Sequence, residues 1–105
     1  MTLTNTVSIK SKNGLHLRPS GILSQIASKP EYYNLGIFLL YNGIRADLKS
    51  VFNVMGLGAF CGATLILEIE YENNEDSDIA KNAQKELLDF FEEGYKLAEV
   101  PEEEY

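Results

Sequence analysis

Three side chains that do chemistry are scarce or missing: 105 residues hold one histidine, one cysteine and no tryptophan. A single cysteine excludes an intramolecular disulfide and suits a reducing compartment, so Cys61 reads as a small buried hydrophobe. One His and one Cys offer no metal-ligand cluster, and Glu68, Glu70 and Glu72 alternate along one strand face in the manner of solvated carboxylates. No metal and no cofactor are expected. Cations are also few, nine Lys and Arg against sixteen Asp and Glu, for a net charge of −7. A chain of that sign repels phosphate backbones, and no basic arm offsets it, which argues against a nucleic-acid partner. A local site for one phosphate stays open. The longest apolar stretch, Ile37 to Tyr41, is too short to span a bilayer, and MTLTNTVSIK lacks the basic-then-apolar order of a signal peptide. A cytoplasmic protein without membrane insertion is expected.

What is present suits one domain over residues 1–105, since 45% of the chain is hydrophobic. Thr6 to Lys10 alternates as a strand does, and Asn13-Gly14 turns the chain. Pro19 stands where a helix can start, Ile22, Leu23, Ile26 and Ala27 repeat at helical spacing, and Pro30 stops the repeat. Leu35 to Tyr41 and Ile44 to Ala46 flank Asn42-Gly43, a strong hairpin signal. Val51 to Leu57 is a short helical patch, and Thr64 to Tyr71 is a strand. The acidic run Asn73 to Asp78 suits the start of the longest helix, which carries Ile79 to Phe91 and which Gly94 closes. The order is β-α-β-β-α-β-α, and the hairpin favours an α+β fold. Glu99 to Tyr105 reads as a solvated acidic tail.

The histidine stands in NGLHLRPSG, residues 13–21. A helix that begins there leaves amide N–H groups unpaired, and its dipole favours an anion. Arg18 adds a forked, permanently charged donor, and a neutral imidazole can accept a phosphoryl group. The other reading is that the His16 ring simply caps the helix and Arg18 is solvated. At Ser50, helix capping suffices as an explanation. Val51, Phe52 and Met55 could all be core. The glycines of MGLGAFCGA follow no strand and precede no Gly-Lys-Ser/Thr, so they read as turns.

Gly14-Leu15-His16-Leu17-Arg18-Pro19 closely resembles the active-site motif of HPr, the histidine-containing phosphocarrier of the bacterial sugar phosphotransferase system. Lys49 to Gly58 resembles that family's regulatory serine and the helix after it, in the right order and at nearly the right spacing. The likeness spans residues 5 to about 93 and implies an open-faced sandwich, a four-stranded antiparallel sheet with three helices on one face.

By that resemblance His16 accepts the phosphoryl group on Nδ1, Arg18 neutralises its charge, and Leu17 and Pro19 form the supporting helix end. Enzyme I, charged by phosphoenolpyruvate, is the implied donor and enzyme IIA domains the recipients, with the carrier a monomer and not itself an enzyme. Ser50 is the implied target of HPr kinase/phosphorylase, and Lys49 could pair with its phosphate. Lys49, Val51, Phe52 and Met55 would form the docking surface, which a transcriptional regulator could share. Phe52 and Met55 are expected to be at least partly exposed, with Val54 pointing inward. A mainly regulatory or nitrogen-type HPr, and a module that holds an anion without covalent chemistry, are the alternatives. Leu17 and Ser20 are bulkier or more polar than is common in the family, and Ser28 to Asn34 is a longer connection carrying Tyr32 and Tyr33.

Overall fold

The computed structural model describes residues 1–99. Its elements are β1 (Thr2–Ser8), α1 (Leu17–Ala27), β2 (Gly36–Tyr41), β3 (Ile44–Asp47), α2 (Val51–Met55), β4 (Thr64–Glu70) and α3 (Ser77–Glu92). Three short 3-10 turns accompany them, at Pro30–Tyr32, Asn74–Asp76 and Gly94–Ala98. The expected order of strands and helices holds. The strands form one antiparallel sheet in the order β1-β4-β2-β3, with the helices on one face. Of the acidic tail, only Glu99 falls among the described residues.

Alternation decides which face is covered. Val7, Ile37, Leu39, Leu65, Leu67 and Ile69 point to the helices and are buried. Against them pack Leu23 and Ala27 of α1 and Ala80, Ala83 and Leu87 of α3, at helical spacing. The open face carries Phe38, Leu40 and Ile66, and Arg45 crosses it with its guanidinium 3.5 Å from the Phe38 ring centroid. Arg45 also reaches Glu68 and Glu70, each at 2.7 Å, so these two carboxylates are paired rather than merely solvated. The hairpin turn has positive φ at both Asn42 (50°) and Gly43 (78°), the conformation whose twist matches its strands.

Several boundaries differ from the expectations. The first strand begins at Thr2, because β4 pairs it from Thr2↔Glu70 onward although Thr2 to Asn5 barely alternates in polarity. Ile9 leaves the strand yet keeps its bonds, donating to the Ala63 carbonyl at 2.9 Å. Helix α1 starts two residues before Pro19, which occupies the third helical position, where a missing N–H is still harmless. Gly94 does not end α3 in a left-handed conformation; the chain continues as a 3-10 turn, and a Cβ at Gly94 would sit 3.3 Å from the Phe90 ring. Cys61 is exposed, not buried, because it lies on the tight turn before β4, where its Sγ contacts the Lys10 carbonyl at 3.8 Å.

The long connection after α1 is not a loose loop. Tyr32 is fully buried, and its hydroxyl donates to Glu86 and accepts from Asn82 at 2.7 Å. Lys29 closes the group with a 2.6 Å bond to Glu86. Burial and the bond to Glu86 push the Tyr32 phenol well above its usual range. For Glu86, burial works to raise the pKa, but the hydrogen bonds from Lys29 and Tyr32 outweigh it and hold the carboxyl below the carboxylate range. A depressed folded pKa means stabilisation that is present above the unfolded value and lost as pH falls through the folded one. Glu86→Gln should therefore cost stability at about pH 7, and the gap from wild type should close towards about pH 3. Urea midpoints at both pH values measure this, and a gap that is equal at both would refute the assignment.

Candidate functional site

His16 is the residue before α1, with φ −78° and ψ −170°, and its ring makes no capping hydrogen bond. Its carbonyl accepts the first helical bond, from the Ser20 amide at 3.1 Å. The amides of Leu17 and Arg18 therefore have no carbonyl a turn below, and Pro19 has no N–H to offer. Among the described residues, the His16 ring and the Arg18 guanidinium make no side-chain hydrogen bond or ion pair. Arg18 is exposed and His16 half-buried. An imidazole, a free fork and two open amides thus share one helix end. Such an end can hold an anion, and the ring can take one covalently.

What fixes this end in place is a contact between loops. The Leu15 amide donates to the Ala59 carbonyl at 3.0 Å, and the Ser20 hydroxyl donates to the Leu15 carbonyl at 3.0 Å. The polar Ser20, unusual on family grounds, is thereby buried with its hydroxyl satisfied. Gly14 has φ +71°, and a Cβ there would lie 2.4 Å from the Ala59 oxygen. Only glycine lets the two loops approach so closely.

Helix α2 packs against α1. Its start is held where the Ser24 hydroxyl donates to the Lys49 carbonyl at 2.8 Å. Ser50 caps it, accepting from the Asn53 amide at 3.4 Å. Ser24 is eight residues past His16, a rise of about 12 Å along α1 at 1.5 Å per residue, so the residue before Ser50 is fastened to α1 two turns beyond the histidine. Phe52 is 81% exposed, Val51 and Met55 are half-buried and Val54 is fully buried. Leu17 is 62% exposed beside the histidine.

Lys49, expected on the docking surface and as a counter-charge to a phosphorylated Ser50, is placed otherwise. Its ammonium donates to the Tyr32 carbonyl at 3.0 Å and the Leu35 carbonyl at 2.6 Å. The long connection brings these carbonyls within reach, so two of the three protons are committed. Phe60, which sequence reasoning passed over, is exposed next to Ala59; an aromatic in a run of small residues was the available signal. Among the described residues no group of three or more His, Cys, Asp or Glu could hold a metal ion, and no helix is long and apolar enough to cross a membrane.

The family model for the PTS HPr component phosphorylation site matches residues 3–93. The phosphocarrier protein HPr of Treponema pallidum (strain Nichols) is 34% identical over 68 residues, which are 65% of this chain and 74% of that protein. Among solved structures, an HPr from Thermoanaerobacter tengcongensis superposes with a TM-score of 0.69 at 31% identity, covering 86% of this chain and 91% of that one. The histidine-containing phosphocarrier protein of a mycoplasma gives 0.62 at 31% identity, over 83% and 92% of the two chains.

The loop contact yields a prediction. Gly14→Ala combines a strained φ with a clash against backbone that cannot swing away, and should cost about 2 kcal/mol or more. Gly43→Ala has an equally left-handed φ of +78° but nothing within 4 Å, and should lose about 1 kcal/mol. Urea denaturation compares them, and equal losses would show that the Ala59 contact contributes nothing beyond conformation.

Proposed function

Because the chain belongs to the HPr family of the phosphotransferase system, we propose that it accepts a phosphoryl group on His16 Nδ1 and passes it on. What supports this is an imidazole and a guanidinium without side-chain partners, among the described residues, at an open helix end. The donor is enzyme I, itself charged by phosphoenolpyruvate, and the recipients are enzyme IIA domains. The donor's bond to phosphorus breaks as the bond to Nδ1 forms, and the donor atom that carried the phosphoryl group keeps the electron pair. Arg18 and the amides of Leu17 and Arg18 balance the negative charge that arrives. Pro19 sets the helix direction without adding a donor. The chain positions the group and turns over no substrate alone; it works as a monomer in the cytoplasm.

Ser50 is the proposed site of regulation by HPr kinase/phosphorylase. Its hydroxyl would take the γ-phosphoryl of ATP, releasing ADP and a proton. With Lys49 bound to the loop carbonyls, the phosphate would rest on the α2 amides, including that of Asn53, which Ser50 already caps. Val51, Phe52 and Met55 form the docking patch beside it, and a transcriptional regulator would read the phosphorylated form there.

Incubation with enzyme I and phosphoenolpyruvate should add one phosphate, measured by mass, that is lost in acid as a phosphoramidate is. His16→Ala should add none. His16→Gln should likewise take no label while keeping the fold; if it bound phosphate as well as wild type, and wild type took no label, the non-covalent anion module would be the right reading. A separate incubation with HPr kinase and ATP should give an acid-stable adduct absent from Ser50→Ala, and retention of that adduct would displace the regulatory site from Ser50.

A further inference from the structure

Ser20 is fully buried on α1, and it holds both peptide groups that flank the histidine. Its hydroxyl donates to the Leu15 carbonyl at 3.0 Å, and its amide donates to the His16 carbonyl at 3.1 Å. The amide bond is the first of the helix, and any residue except proline would make it. The hydroxyl bond has no substitute in the main chain. The amide four positions past Leu15 would be that of Pro19, which carries no N–H, so the helix offers the Leu15 carbonyl no donor from the turn above it. That carbonyl belongs to a buried residue and needs a partner, and the Ser20 hydroxyl supplies one.

Both bonds act on one residue. A residue's backbone has two soft dihedrals, and each is a rotation of one flanking peptide group about the Cα. With the Leu15–His16 and His16–Leu17 groups both tied to Ser20, φ (−78°) and ψ (−170°) of His16 are held together, and with them the direction of its Cα–Cβ bond. Among the described residues the imidazole makes no side-chain hydrogen bond of its own, so its aim comes from the main chain behind it. The bond from the Leu15 amide to Ala59 holds the peptide group before Leu15 and leaves the next one free to turn. A turn of about 20°, the ordinary scatter of a backbone dihedral, swings a ring nitrogen by about 1 Å. A misplacement of about 1 Å at the reacting atoms can cost on the order of a hundredfold in rate.

We propose that Ser20 is a positioning residue for phosphoryl transfer: its hydroxyl, standing in for the amide that Pro19 lacks, locks the Leu15–His16 peptide group and so aims the His16 imidazole at the donor's phosphorus. This rests on the phosphocarrier reading above. Ser20 is buried and touches neither phosphate nor donor. It therefore acts on the rate at which a docked donor reacts and not on how tightly that donor docks.

The test is a single turnover, in which enzyme I already carrying phosphate is mixed with increasing amounts of this protein. Ser20→Ala should lower the limiting rate at least about tenfold, while the concentration at half that rate stays within about twofold. Ser20→Thr keeps a hydroxyl and should bring the rate back. Gly43→Ala, strained on the β2–β3 hairpin, should melt lower than wild type yet react at its limiting rate, which separates positioning from loss of stability. In unphosphorylated Ser20→Ala the three-bond NMR coupling between the His16 amide and Hα protons should change, since it reports φ. A wild-type limiting rate in Ser20→Ala would overturn the proposal. So would a reduced rate with an unchanged coupling, or a loss confined to the half-saturating concentration. Failure of wild type to take up phosphate would instead overturn the phosphocarrier reading, and the coupling would still show whether Ser20 sets the backbone of the histidine.

Discussion

The close approach of residues 14–15 to residues 59–60 is the constraint on which the site depends. The sheet and its helices bury a core of their own, with Leu23, Leu67 and Leu87 fully buried in it. The position of the histidine does not follow from that core. The Leu15 to Ala59 hydrogen bond and the bare Cα of Gly14 fix where α1 begins, and so which amides are left open. The same contact delivers the segment after α2 to the histidine side. One backbone interaction thus aligns an open helix end with an apolar surface, although 44 positions separate Leu15 from Ala59.

A second constraint acts at the other end of α2. A five-residue helix has no stability of its own, because nucleation is unfavourable and few bonds repay it. It persists here through the buried Val54, the Ser50 cap and Lys49, whose main chain binds Ser24 and whose ammonium binds the turn at Tyr32 and Leu35. That turn is in turn fastened to α3 by Tyr32, Glu86, Asn82 and Lys29. The lengthened connection after α1 therefore serves α2, through a half-buried lysine whose ammonium turns to the loop carbonyls.

What could be read in the sequence was what local chemistry dictates. Asn42-Gly43 supplies its own left-handed backbone, and the alternation in Thr64 to Glu70 declares a half-buried strand. The adjacency of His16, Arg18 and Pro19 also placed the helix end without tertiary information. The misses are the features set by distant partners. Thr2 to Asn5 is extended because residues 67–70 pair with it. Tyr32 looked like part of an idle loop because its partners, Asn82 and Glu86, lie 50 and 54 positions downstream. The expectation for Cys61 followed the usual burial of cysteine, and a tight turn overrode it. Lys49 was assigned to the surface because a charged side chain next to a capping serine has no local reason to turn inward.

The start of α2 is fastened at Ser24, a rise of about 12 Å along α1 from His16, and that limits how the two ends can influence each other. That exceeds a Debye length at physiological salt, so charge at one exposed position is largely screened from the other. Phe52 stands on α2 two residues past Ser50, and a partner broad enough to reach His16 and cover Phe52 must also meet the start of α2. Coupling between the two positions therefore passes through the shared partner surface. A dianion on Ser50 would have to be desolvated under that partner, with Lys49 already engaged elsewhere, and a charge buried without a counter-ion is expensive. Regulation at Ser50, as proposed above, would act on which proteins dock and leave the reactivity of the imidazole alone.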